Sequence, residues 1–314
     1  MLHINSNLIK IRKAEKKYYD SMSKTIKDRI ANLANKPTKK LKEIYNIYYY
    51  IGFFEEWIEY DLKTILIGRP DVLYEKSISI TPFIRSWKDL RICIEYVFNY
   101  EYLCDKVDSR YDAYDLAQSL GINTCPYCNR NYTSTIITKD KEKFCRPAFD
   151  HYFAKTNHPL LAISFYNLIP SCTTCNSGRK GDVDVRLETH LHPYVDNLVD
   201  NIVFSYKYST HTVSGLEVKI KSLSEKEENT LKLFGIKEIY DTHTNELQDM
   251  IRMRYYFTDN YLNILKSNLL AGIYMSKKEL YRLAFGTELL SEDFINKPLS
   301  KFKRDILKEL GIID

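Results

Sequence analysis

A mainly α protein with a small α+β insert is predicted by three observations. Apolar residues recur every three or four positions through most of the first 121 residues and again after residue 224. Two CxxC pairs crowd together with an Asp-His pair between residues 123 and 184. Two short runs beginning near Ile202 and Leu216 have the composition of strands. At 314 residues the chain has room for two or three folding units, each with its own core.

The first helix is predicted over Ile11 to Leu33. Ile11, Ala14, Tyr18, Met22, Ile26, Ile30 and Leu33 make one apolar stripe, and the lysines lie on the other face. Pro37 ends it, and a second helix is expected from Lys39 through Leu66. Gly68-Arg69-Pro70 breaks the chain again, and a further helical pattern covers Ile84 to Leu120, closed by Gly121. Ile202 to Tyr208 and Leu216 to Ile220 read as strands around Ser214-Gly215. Ser224 with Glu227 three residues later starts a helical region that runs nearly to the end. A last helix is expected from Ser300 to Leu310, with Gly311 as its stop. The predicted domains are therefore a helical one over 1–121, a cysteine-bearing core over 122–186, and a hairpin followed by helices over 187–314.

Composition excludes several classes. An apolar share of 44% and a charged share of 28% are ordinary for a globular chain and rule out disorder. The longest strongly apolar uncharged stretch, Ile44 to Phe54, falls short of the ~20 residues that span a bilayer. Lys10, Arg12 and Lys13 arrive before any apolar run, so no secretory signal is expected. With an odd number of cysteines, this points to a reducing compartment, the cytoplasm, rather than to a disulfide framework.

The net charge of +5 is unevenly placed: residues 1–42 balance at +9 and the rest at −4. Lys10, Lys13, Lys16 and Lys17 on the first helix are therefore candidates for contact with a polyanion. A solvated helix face or a surface for a partner protein is the alternative for the same charges.

Cys125-Pro126-Tyr127-Cys128 and Cys172-Thr173-Thr174-Cys175 carry the strongest signal. Chance placement of seven cysteines gives roughly 0.16 CxxC pairs in a chain of this length, and here there are two. A tight knuckle aims two thiolates at one point, and two knuckles complete the tetrahedral shell that Zn²⁺ favours. A closed shell of four cysteines leaves no place for water, so this zinc is expected to be structural. A thioredoxin-like redox pair would need only one CxxC and a βαβ setting. Cys93 and Cys104 lie on helical patterns as core residues.

In order between and beside the knuckles stand Asp150-His151, Asn167-Leu168, Cys175-Asn176 and Arg179-Lys180-Gly181-Asp182. The run CPYC, FDHYF, FYNLIPSC, TTCNSGRKGD resembles the HNH, or ββα-metal, endonucleases of the four-cysteine zinc subgroup. It covers residues 125 to 184, a fifth of the chain. The resemblance implies a zinc-stapled, treble-clef-like core that hydrolyses phosphodiester bonds of DNA, or alternatively RNA, with Mg²⁺ or another divalent cation. His151 matches the general base, a role that suits an imidazole. Asp150 matches the carboxylate that holds the catalytic metal. Asn167 matches the middle Asn, whose amide ties the loop and orients the His. Asn176 stands where the family's last His often does, as second metal ligand. The second knuckle is expected to open the helix carrying Asn176, and Arg179 and Lys180 to reach phosphate oxygens. One residue more than the usual CNxxKG spacing leaves open which of these two cations fills the family's position. Some relatives serve in antiphage systems, as does the HNH subunit of the Septu system, which works with an ATPase partner. The rival from another class is a non-catalytic treble-clef zinc module that binds nucleic acid or a partner protein. His158, His190, His192 and Cys145 fit no required slot, and His192-Pro193-Tyr194 with Asp196 reads either as a turn or as a support for the site.

Overall fold

A computed structural model of the chain describes residues 1–106, 109–197, 200–256 and 277–313, together with positions 264 and 267. The helical expectation for residues 257–276 therefore lies almost wholly outside the described residues. The chain divides along other lines than the boundaries at 121 and 186. One compact unit comprises Asn5–Ile122 and Thr133–Leu187; the other comprises Met1–Ile4, Asn123–Tyr132 and Glu188–Asp314. No helix among the described residues is long and apolar enough to cross a membrane.

The first unit is built on helices α1 (Ile9–Asn35), α2 (Lys39–Lys42), α3 (Ile47–Ile67), α4 (Pro70–Ser86), α5 (Lys88–Val97), α6 (Tyr100–Cys104) and α7 (Ala113–Leu120). The buried residues of α1 are the seven of the predicted stripe, so its 3.6-residue periodicity sets its inner face. The expected second helix is interrupted. Bonds from Glu43 N–H to Lys40 and from Ile44 N–H to Leu41 tighten its first turn to a stop, and Ile44 is buried there. The pattern from Ile84 to Leu120 likewise breaks into pieces, because polar side chains restart the helix. Asn99 accepts from Tyr102 N–H at 2.6 Å, and Asp112 forms a capping box with Asp115 at the head of α7. Gly121, with φ +55°, ends α7 in the left-handed conformation that glycine adopts without strain.

Two antiparallel hairpins complete this unit: β1 (Ile136–Ile137) with β2 (Lys143–Cys145), and β3 (Ala148–His151) with β4 (Leu168–Ser171). In the second, Asp150 pairs with Ile169 and His151 with Leu168. The loop between β3 and β4 is held by the helices. Tyr18 of α1 donates its hydroxyl to the Ile163 carbonyl, Tyr166 donates to Glu15 at 2.6 Å, and Ser164 donates to the Ile65 carbonyl of α3 at 2.5 Å. Polar groups at these buried positions are satisfied, which fixes the loop rather than merely covering it.

The second unit holds the hairpin β5 (Val203–Tyr208) and β6 (Leu216–Lys221), then α8 (Glu225–Phe234), α9 (Ile236–Asp241), α10 (Thr244–Tyr256), α11 (Lys277–Phe285) and α12 (Ser300–Glu309). Ser224 and Glu227 form the predicted capping box. Phe204, Tyr240 and Phe302 pack together with ring centroids 4.4 to 5.5 Å apart, which seats α12 against β5. His192 and Asp196 make a turn, with Asp196 accepting from His192 N–H at 2.7 Å.

Candidate metal and catalytic site

Cys125, Cys128, Cys172 and Cys175 are all buried, and their Sγ atoms lie within 4.8 Å of one another. Four thiolates at ~2.3 Å from one ion stand about 3.8 Å apart in a tetrahedron, so the donor set fits Zn²⁺ in kind and in spacing. Among the described residues this is the one cluster of three or more Cys, His, Asp or Glu that could hold an ion.

Each knuckle is shaped by its backbone. After Cys125–Cys128 the chain turns at Asn129, whose φ of +49° lies in the left-handed region. Asn129 N–H donates to the Cys125 carbonyl at 2.7 Å and Arg130 N–H points at Cys128 Sγ at 3.4 Å, a contact that favours a thiolate. The Asn129 side chain is buried and fully engaged. It donates to Phe294 and Lys297 carbonyls at 3.0 and 3.1 Å and accepts from Lys301 N–H at 3.0 Å. This residue was not singled out from the sequence; its only signal was an Asn placed directly after CxxC, where a positive φ is tolerated.

The second knuckle continues into Asn176–Lys180, a single π turn rather than the expected α-helix. Its bonds run from Gly178 N–H to Thr173, from Lys180 N–H to Cys175 and from Gly181 N–H to Asn176, each spanning five residues. A π turn absorbs one extra residue per turn. The residue in excess of the usual spacing is therefore taken up locally, and Lys180 is brought inward while Arg179 stays exposed.

That corrects one expectation. Lys180 is only 1% exposed and does not face a phosphate in solvent. Its ammonium donates to the His151 carbonyl at 2.6 Å and pairs with Asp150 at 3.4 Å, where Asp150 is itself buried. A buried carboxylate beside one ammonium is strongly destabilised when that cation is removed. Lys180→Met is expected to lower unfolding stability by ~3–5 kcal/mol in a urea titration, by removing the ammonium that pairs with the buried Asp150 carboxylate. Removing both charges as Asp150→Asn with Lys180→Met should recover most of that loss.

His151 closes β3 and is half-buried. Its Nε2 lies 2.8 Å from the Ala162 carbonyl, which can only accept, so Nε2 carries the proton and Nδ1 keeps the lone pair. Burial pushes the ring pKa down to about 4, and the Lys155 and Lys180 cations push the same way; at neutral pH the imidazole is uncharged. Tyr100 packs edge-on against it at 4.5 Å. Asn167, fully buried, accepts from Phe153 N–H at 2.7 Å and donates to the Phe153 and Leu161 carbonyls at 3.1 and 2.9 Å. Its amide thus ties both ends of the loop that carries the Ala162 carbonyl. Asn176 is half-buried at the start of the π turn.

The remaining candidates are placed as follows. Lys10, Lys13, Lys16 and Lys17 are exposed on α1; Lys10 donates to the Gly121 carbonyl at 3.3 Å and Lys17 lies 3.8 Å from Asp115. His158 is buried against Ser77 Oγ at 2.8 Å. Cys93 is buried in the core, which pushes its thiol up to about 12.

No family model matches the chain, and no solved structure matches it. Two curated proteins are similar over part of their length. Protein ea31 of Escherichia phage lambda is 34% identical over 76 residues, 21% of this chain and 26% of that protein. The Septu protein PtuB of Bacillus thuringiensis is 32% identical over 85 residues, 27% of this chain and 30% of that protein. The match thus spans under a third of either relative; it is a weak, partial likeness to a Septu protein, and this chain's own structure has a four-cysteine cluster fit for a metal.

Proposed function

We propose that the chain is a metal-dependent HNH endonuclease that hydrolyses phosphodiester bonds of DNA, acting in antiphage defence. The observation that carries the reading is the arrangement on the β3–β4 hairpin: an imidazole fixed through one nitrogen, with a buried carboxylate next to it in sequence and an Asn clamping the loop between. On this reading β3, β4 and the turn Asn176–Lys180 are the strands and the shortened helix of a ββα-metal core. Partial similarity to the Septu protein PtuB supports the defence setting.

The roles follow from the chemistry. His151 Nδ1 has a lone pair at neutral pH and takes the proton of the attacking water. The Ala162 carbonyl holds the ring in that tautomer, and Asn167 holds the carbonyl's loop. Asp150 and Asn176 would offer oxygen donors of the kind that a hard ion such as Mg²⁺ takes alongside waters and phosphate. When bound, such an ion supplies charge stabilisation at the scissile phosphate. Lys180 pairs with the buried Asp150 carboxylate and fixes the His151 backbone. The same ion pair favours the one rival reading, a non-catalytic zinc module in which Asp150 is only structural.

Plasmid cleavage by the parent protein in parallel with Mg²⁺, with Mn²⁺ and with EDTA separates the two. Cleavage that requires the divalent ion supports the nuclease; a zinc-loaded, folded protein that binds nucleic acid and never cleaves it supports the module.

We also propose that the exposed lysines of α1 contact phosphates without reading sequence. Charge reversal of Lys10, Lys13, Lys16 and Lys17 to Glu is expected to weaken DNA binding uniformly across sequences and to flatten its salt dependence. Unchanged affinity and slope would move the contact to Arg179 and the face around His151.

A further inference from the structure

Beside His151 the first unit has a cleft of about 570 Å³. Tyr100, which packs on the His151 ring, and Ala162, whose carbonyl holds Nε2, both line it, so the cleft opens next to the proposed catalytic base. Its cations differ in availability. Arg91 is paired with Glu95 and Lys155 with Glu101, each at 2.7 Å. Lys39 and Lys40 on α2 are exposed and have no ion-pair partner among the described residues. Tyr96 adds an aromatic wall that is backed by the Arg29 guanidinium at 4.4 Å from its ring centroid.

Size decides what such a recess accepts. A cleft in the range of roughly 300–1,000 Å³ takes a group of small-molecule dimensions. A paired duplex is instead gripped from outside, along its grooves and backbone. An aromatic wall with unpaired cations at the rim is the combination that seats one unstacked base and its flanking phosphates.

We propose that this cleft binds one unpaired strand of the polynucleotide substrate, with a base against Tyr96 and phosphates on Lys39 and Lys40, next to His151. The strand is called substrate on the strength of the nuclease reading above; the binding itself is tested without it. Fluorescence anisotropy in EDTA, where no cleavage occurs, compares a labelled short oligothymidylate with the duplex it forms with its complement. The parent protein is expected to bind the single strand at least about tenfold more tightly than the duplex. Lys39→Glu with Lys40→Glu should weaken single-strand binding about tenfold or more and make its log–log salt slope shallower by ~1.4, two phosphate contacts at ~0.7 each. Tyr96→Ala should weaken it by about tenfold with the salt slope unchanged, since stacking releases no counterions. Equal affinity for strand and duplex, no measurable affinity for the strand, or indifference to the surface lysine reversal overturns the proposal. The two readings fail separately. Cleavage lost in His151→Ala while strand binding ignores these variants leaves the nuclease and removes the cleft. The predicted binding pattern in a protein that cleaves nothing leaves the cleft and removes the nuclease.

Discussion

Replacing His151 by alanine is expected to lower divalent-metal-dependent cleavage by at least ~10²–10⁴-fold, to the background of the assay. The change removes one side-chain hydrogen bond, to the Ala162 carbonyl, and no member of the cysteine cluster. Its circular dichroism and zinc content should therefore match those of the parent. The contrast with Asp150→Ala is informative. That variant should also lose cleavage, through the loss of a proposed metal ligand, but it removes the carboxylate beside the buried Lys180 ammonium and should melt earlier. A pure His151→Ala protein that cuts as fast as the parent would show that the base lies elsewhere.

Losing one thiolate of the cluster should have the largest effect on folding. Structural zinc in comparable peptides contributes an apparent ~10–16 kcal/mol, against a usual total stability of ~5–15 kcal/mol for a domain. Cys172→Ser is therefore expected to give a protein with well under one zinc per chain that is unfolded around the cluster, seen as lost near-ultraviolet dichroism and rapid proteolysis. Elemental analysis of the parent should find one tightly held zinc per chain. A folded, protease-resistant Cys172→Ser protein would show that the four sulfurs hold no ion that matters for folding.

Much of the helical framework was legible because it rests on local rules. The stripe on α1 was read residue by residue, since burial follows a 3.6-residue period whatever the stripe packs against. Ser224 with Glu227 and the stop at Gly121 were equally local, being caps within a few residues of the helix they bound. The interruptions at residues 43–46 and 109–112 were missed because the apolar spacing continues through them. What breaks the helix there is the burial of Ile44 and the restart at Asp112. The short hairpin β1–β2 was also missed, having too few residues for an alternation to register.

At the site the division is sharper. Sequence alone determined the identity of the four cysteines, because two CxxC knuckles are a spacing signal that needs no knowledge of distance. The candidate roles of Asp150, His151 and Asn167 are what the resemblance to the HNH nucleases implies. Only the tertiary structure decided the place of Lys180. Next to Arg179 in sequence, it reads as a second surface cation, and the extra residue after Asn176 makes either one a candidate. The π turn takes up that residue and rotates Lys180 inward onto Asp150 and the His151 carbonyl, leaving Arg179 outside. The direction of a side chain depends on how many residues a turn contains and on which buried charge awaits it, and both are settled by packing around the turn rather than by residue type.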